Sequence, residues 1–232
     1  MKIEVLFPEI CNLYGDMGNI KYLKACVPEA EIINTSIGDI PYFVGNSDVD
    51  MIYIGGMPEK KQCLVIEKLR DYSENIKNYI GENKLMLATS NALELFGDYI
   101  EDEGGEKTQG LSIIDFYSTR NMANRHNSIF IGEYEDIKIV GYKSQFGRSY
   151  AHDNTKFFSY AAKGIGINEE SHYEGFKINN FIATYLIGPL LVLNPLFTEK
   201  LLINIGIESP ALAFRDEVMA AYNKRLKEFY DE

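Results

Sequence analysis

With 232 residues, 46% of them hydrophobic, the chain is long enough to bury one sizeable core, and a single domain over 1–232 is the expected organisation. A formal net charge of -11 leaves no basic field to release counterions from a phosphate backbone, which argues against a nucleic-acid partner. No segment approaches the roughly 18 uninterrupted apolar residues of a membrane span, and the opening MKIEVLFPEICNLYGD lacks a charged n-region followed by a long apolar stretch, so a cytoplasmic location is expected.

In chain order, KIEVLF at 2–7, EIINTS at 31–36, DMIYIGG at 50–56 and KLMLATS at 84–90 read as buried strands, rich in β-branched and large apolar residues. Between them, 19–27, 58–80 and 91–98 read as helices, with Pro58 suited to a first helical turn. Strand, helix, strand in this rhythm predicts an α/β fold: a three-layer αβα sandwich around a mostly parallel central sheet. The middle, from about 110 to 182, is richer in strands, and SIFIGEY and DIKIVGY, separated by a short acidic turn, read as a hairpin. Ser209-Pro210 opens a closing helix through about 229, whose Leu212, Phe214, Val218, Ala221, Tyr222 and Leu226 recur at helical spacing.

The cysteines, Cys11, Cys26 and Cys63, form no CxxC pair, as in a reducing compartment. The histidines His126, His152 and His172 are not spaced with Cys, Asp or Glu as metal ligands. Neither a metal nor another cofactor is expected.

In open α/β sheets chemistry collects at the carboxyl ends of the strands, and two of these ends are unusual. At Ile54-Gly55-Gly56-Met57-Pro58, paired glycines let backbone N–H groups approach a ligand. At Ala88-Thr89-Ser90-Asn91-Ala92 a strand runs into a helix through small residues, the composition of a nucleophile elbow; a serine N-cap on the following helix is the competing reading.

Five segments carry a resemblance beyond these patterns: NLYGDMGNI at 12–20, IGGMPEKKQ at 54–62, GLSIIDFYSTRNMANR at 110–125, GYKSQFGRSYAHD at 141–153 and ATYLIGPLLVLNP at 183–195. Together, in this order, they are similar to the motifs of class I glutamine amidotransferases of the cobyric-acid-synthase-like (CobB/CobQ-like) branch. The similarity is greatest to the glutaminase subunits of lipid II isoglutaminyl synthases. The resemblance implies the class I amidotransferase fold and a pocket for glutamine built from Gly55, Gly56, Gln62 and Asn91. It also makes Arg125, across a one-residue insertion, the counterpart of the arginine that holds the glutamine carboxylate. A Mur-ligase-like subunit that uses ATP and accepts the ammonia is the partner it implies.

The catalytic pair departs from that pattern. The family's elbow reads Cys-Gly-Gly, and here it is Ser90-Asn91-Ala92. The family's Thr-Tyr-Leu-His-Gly-Pro reads Thr184-Tyr185-Leu186-Ile187-Gly188-Pro189, so Ile187 stands at the position of the base and Pro189 at that of the supporting acid. Its Glu-Asn-His run reads Lys143-Ser144-Gln145. A serine hydroxyl without a base lacks the nucleophilicity of a thiolate. His152, just after Gly147-Arg148-Ser149, is the one histidine in a segment the family places near its active site, and a structural role is the more economical reading. The expectation is therefore an amidotransferase-like protein without glutaminase activity, serving as a subunit or scaffold. Two alternatives stand beside it: a hydrolase using Ser90 as nucleophile, and a glutamine-binding regulatory module working through Arg125 and the Gly55-Gly56 loop.

Overall fold

The computed structural model describes residues 1–152 and 156–231; Asp153, at the end of the 141–153 motif, lies outside them. The first half alternates as the sequence predicts: β1 (Lys2–Leu6), α1 (Met17–Cys26), β2 (Glu31–Thr35), β3 (Met51–Ile54), α2 (Glu59–Arg70), α3 (Ser73–Gly81) and β4 (Leu85–Thr89), then a 3-10 helix over Ser90–Phe96. The strand-rich stretch gives β5 (Tyr99–Glu101), β6 (Lys107–Gln109), β7 (Phe116–Arg120), β8 (His126–Tyr134), β9 (Ile137–Gln145), β10 (Gly147–Ala151), β11 (Phe157–Lys163), β12 (Tyr173–Ile178) and β13 (Phe181–Thr184). Helices α4 (Leu190–Leu193), α5 (Pro195–Asn204) and α6 (Arg215–Asp231) close the chain.

Among the described residues a nine-stranded sheet runs β2-β1-β3-β4-β13-β12-β11-β8-β9. The five strands from β2 to β13 pair in parallel, and β13 onward is antiparallel. The sequence's mostly parallel sheet is thus its first half, and the strand-rich middle extends it. The expected hairpin is β8–β9, with Tyr134 opposite Ile137 across Glu135 and Asp136. A four-stranded sheet, β10-β7-β5-β6, stands apart.

Both faces of the parallel half are buried because its strands alternate apolar residues without a polar side. Ile3, Val5, Met51, Tyr53, Leu85 and Leu87 pack with α1, α4, α5 and α6, whereas Leu6, Ile52, Ile54, Met86 and Ala88 pack with α2, α3 and the small sheet. The outer edge at β9 is closed by side chains. Asn194 accepts from Val140 N–H and donates back to its C=O, Ile187 N–H reaches Tyr142 C=O, and Tyr222 Oη donates to Lys138 C=O.

Helix α1 starts two residues before its predicted bound, and three other helices differ more. The 58–80 helix is two, α2 and α3, because the Ser73 hydroxyl takes the Arg70 carbonyl at the junction; Pro58 caps α2 rather than starting it. The closing helix begins at Arg215, not 209: Phe214 is left-handed at φ 55° and 71% exposed, and Leu212 is buried from a loop. The 91–98 segment is a 3-10 turn that starts at Ser90 itself. No helix among the described residues is long and apolar enough to cross a membrane.

Candidate functional site

The ends of β1, β3, β4 and β13 converge, and the five motifs meet there. Ser90 has φ 58°, and the N-cap position of the 3-10 helix falls on Thr89 rather than on Ser90, so the elbow conformation prevails over the serine N-cap reading. Its backbone N–H donates to Leu186 C=O at 3.1 Å. Because β13 runs parallel to β4 with Thr184 beside Thr89, residue 187 follows directly on the carbonyl that fastens the elbow. That residue is Ile187, whose own N–H donates to Tyr142 C=O. Ser90 Oγ has no side-chain hydrogen-bond partner among the described residues.

The histidines are engaged elsewhere. His126 is hydrogen-bonded to Ser128 at 2.9 Å, and burial holds its pKa below the usual imidazole range. His172 stacks on Tyr160. His152 lies 3.7 Å from Asp115, where the fold also brings Asp98, so three ligand-bearing groups within 4.8 Å of one another come from positions the sequence separates widely. Asp115 and His152 are exposed and Asp98 is half-buried.

The glycine loop lies directly on the elbow. A Cβ on Gly56 would fall 2.8 Å from Ser90 Cβ and 2.9 Å from Ser90 Oγ, and one on Gly55 would strike Asp16 Oδ2 at 2.8 Å, so both positions require glycine. Gly56 N–H donates to Asp16 Oδ2 at 2.6 Å. Met57 N–H donates to Asn91 Oδ1 at 2.9 Å, and Asn91 Nδ2 donates to Met57 C=O at 2.7 Å. Gln62 is buried one helical turn on, its Nε2 donating to Asn91 C=O at 2.9 Å and to Glu94 Oε2 at 2.8 Å.

Gly55, Gly56, Gln62, Ser90 and Asn91 are thus brought together, and Ile187 follows Leu186, whose carbonyl takes the Ser90 N–H. Arg125 is not joined to them: it is exposed, with its guanidinium stacked 4.3 Å over the Phe146 ring. The arginine at this cluster is Arg120, at the end of β7, which bonds Gln62 Oε1 and reaches Glu94 at 3.3 Å. Lys143 forms a buried ion pair with Glu174, Ser144 binds Asn127, and Gln145 donates from Nε2 to Gly147 C=O.

Several of the residues that build the site were not singled out from the sequence. Asp16 is fully buried; besides Gly56 it takes the Thr89 hydroxyl at 3.2 Å, and its carboxylate leaves room at Gly188 for glycine alone. Burial outweighs these donors and pushes its pKa up to about 6. Asn19, in the same NLYGDMGNI segment, bonds Tyr53 Oη and Leu191 N–H, so that motif ties α1 to β3 and α4. Glu94, four residues beyond Ser90, is buried and takes hydrogen bonds from Gln62, Arg120 and Tyr185; burial raises its pKa, with Arg120 opposing.

Residues 2–194 match the CobB/CobQ-like glutamine amidotransferase domain. The subunit GatD of the glutamine-hydrolysing lipid II isoglutaminyl synthase of Streptococcus pneumoniae (strain ATCC BAA-255 / R6) is 27% identical over 201 residues, covering 84% of this chain and 76% of that protein. GatD of Staphylococcus aureus (strain N315) is 29% identical over 194 residues, covering 82% and 78%. A glutamine amidotransferase crystal structure superposes with a TM-score of 0.55 at 10% identity, over 88% of this chain and 99% of that one. PurLQS from Thermotoga maritima gives 0.51 at 15% identity over 97% and 98%. These structural likenesses bear on the fold alone.

Proposed function

Because the chain belongs to the CobB/CobQ-like glutamine amidotransferase domain family, we propose that it is a member that has lost glutamine hydrolysis and serves as a non-hydrolysing subunit. Its partner would be a Mur-ligase-like, ATP-dependent amide-transfer enzyme, the counterpart implied by its likeness to lipid II isoglutaminyl synthase subunits, and a pair that drew on ATP would work in the cytoplasm. One observation carries the reading: the elbow presents an alcohol whose oxygen has no hydrogen-bonded base among the described residues, and the family's histidine position, one residue after the carbonyl that fastens the elbow, holds Ile187.

The energetics follow from the chemistry. A serine hydroxyl at neutral pH needs its proton removed as it attacks, and the removing group must come within about 3 Å. An aliphatic side chain cannot take a proton. Nucleophile and base act as a unit, so losing both removes several orders of magnitude in rate, leaving only binding and whatever donors face the carbonyl oxygen.

The strained φ of Ser90 favours the rival serine-hydrolase reading, and one experiment separates the two. The purified chain is incubated with glutamine while ammonia is measured, and separately with a fluorophosphonate probe. The proposal expects no ammonia above the background of a Ser90→Ala variant and no labelling. Ammonia release, or labelling that Ser90→Ala abolishes, would overturn it. Association with a ligase-like protein co-expressed from the same genome tests the partner, and failure to co-purify removes that half of the proposal.

A further inference from the structure

We infer that Asn91 closes this site from within, its carboxamide occupying the place where a substrate carboxamide would be held. The inference rests on the amidotransferase reading of the site and supplies a cause of silence separate from the loss of nucleophile and base.

Enzymes built on a nucleophile elbow stabilise the carbonyl oxygen under attack with two backbone donors: the N–H of the residue after the nucleophile, and an N–H from a loop lying over it. Here the loop over the elbow is Gly55–Met57, packed so tightly that Gly56 has no room for a side chain against Ser90. Its amides are already committed. Gly56 N–H is held by Asp16, and Met57 N–H by Asn91 Oδ1. Asn91 then donates from Nδ2 to Met57 C=O, so its oxygen and its nitrogen together occupy both backbone polar groups of one loop residue.

An asparagine side chain ends in the same group as glutamine. Its C=O accepts the loop N–H, as a glutamine carboxamide would accept from an oxyanion donor, and it does so from the residue next to Ser90. The resembling family has glycine at this place in its Cys-Gly-Gly elbow, and glycine offers nothing to fill the space. Asn91 is only 7% exposed, with its side-chain amide paired at both ends, so a ligand must break two buried hydrogen bonds to enter.

The test gives the elbow a reactive atom and varies only the closure. In a Ser90→Cys background, alkylation by a chloroketone analogue of glutamine is followed by intact mass: the Sγ–carbon bond forms as chloride leaves. Ser90→Cys/Asn91→Gly is expected to react about 100-fold faster than Ser90→Cys, the scale of one recovered oxyanion donor. Ser90→Cys/Asn91→Asp, which keeps an acceptor on Met57 N–H, stays slow. Hydrogen exchange of the Met57 amide reports the contact without chemistry: protected in wild type and Asn91→Asp, fast in Asn91→Gly. Should Asn91→Gly fail to fold, as judged by circular dichroism, Asn91→Ala replaces it with the same expectations.

Rates within threefold across the series, or a freely exchanging Met57 amide in wild type, would overturn the inference. So would an equal acceleration with iodoacetamide, because that would mark the effect as simple access to the thiol. The loss-of-hydrolysis reading fails on a different result, ammonia released by the wild-type chain with Asn91 in place.

Discussion

Replacing Lys143 by methionine tests the charge reasoning where it is most exposed to failure. Lys143 Nζ is fully buried, paired with the equally buried Glu174, and donates to Gly166 C=O at 2.6 Å. Burial drives the lysine pKa down while Glu174 pulls it back up. Lys143→Met leaves a buried carboxylate with only the Thr184 hydroxyl at 2.7 Å and the Tyr185 N–H at 2.8 Å. Breaking a buried pair from one side costs about 3–5 kcal/mol, a large share of the roughly 5–15 kcal/mol that holds a domain folded. Lys143→Met/Glu174→Gln removes both charges while its amide oxygen still accepts from Thr184 and Tyr185. The double variant should therefore be more stable than Lys143→Met, by about 2 kcal/mol. Urea unfolding followed by far-ultraviolet circular dichroism measures this, since the chain has no tryptophan to report fluorescence. A single-variant cost under about 1 kcal/mol, or a double variant as costly as the two singles added, refutes the argument.

Two further outcomes follow from the same structure. Asp16 titrates near 6 in the folded chain against an ordinary value of 3.8, so between these pH values the folded state binds the proton and the unfolded state releases it. Stability then falls as pH rises through that window and levels off above it, and wild type should lose about 2.4 kcal/mol more than Asp16→Asn between pH 4 and 7. Parallel pH profiles for the two proteins would show that burial does not govern this carboxyl. Asn194→Ala strips the Val140 N–H and C=O of their buried partners, for a loss of about 2–5 kcal/mol in urea unfolding, and light scattering should rise as the β9 edge opens to other chains. A loss below about 1 kcal/mol would mean the edge is held by its neighbours instead.

What the sequence made legible was whatever local periodicity or motif order encodes. The alternating strands, the β8–β9 hairpin and the convergence of Gly55, Gly56, Gln62, Ser90 and Asn91 could be read because each depends on near neighbours or on a quoted motif. Arg120 and Arg125 could not be told apart, being five residues apart in one segment. Their roles divide because Arg120 ends β7 beside Gly147, whereas Arg125 precedes β8 and turns to Phe146. Glu94 and Asp16 escaped notice because a lone carboxylate in sequence carries no sign of burial; its donors, Arg120, Tyr185, Gly56 and Thr89, come from other elements. The start of α6 was misplaced because Leu212 and Phe214 keep helical spacing while Phe214 has left-handed backbone, which periodicity does not register.

Ser90 has a strained backbone although no base is hydrogen-bonded to its hydroxyl among the described residues, and the contacts explain why. A left-handed serine costs about 1–3 kcal/mol, and it persists only where the surroundings overdetermine it. Three fastenings do so. The Ser90 N–H is tied to Leu186 C=O, Asn91 is tied at both ends of its amide to Met57, and Gln62 holds Asn91 C=O from α2 while reaching Glu94. Relaxing φ at Ser90 would rotate the 90–91 peptide and loosen all three, exchanging one strain for several buried unpaired groups at about 1–3 kcal/mol each. The elbow conformation can thus be held by hydrogen bonds alone, whatever the chemistry at its tip. Its conformation is therefore evidence of packing around residue 90, and activity has to be judged from what lies next to the Ser90 hydroxyl.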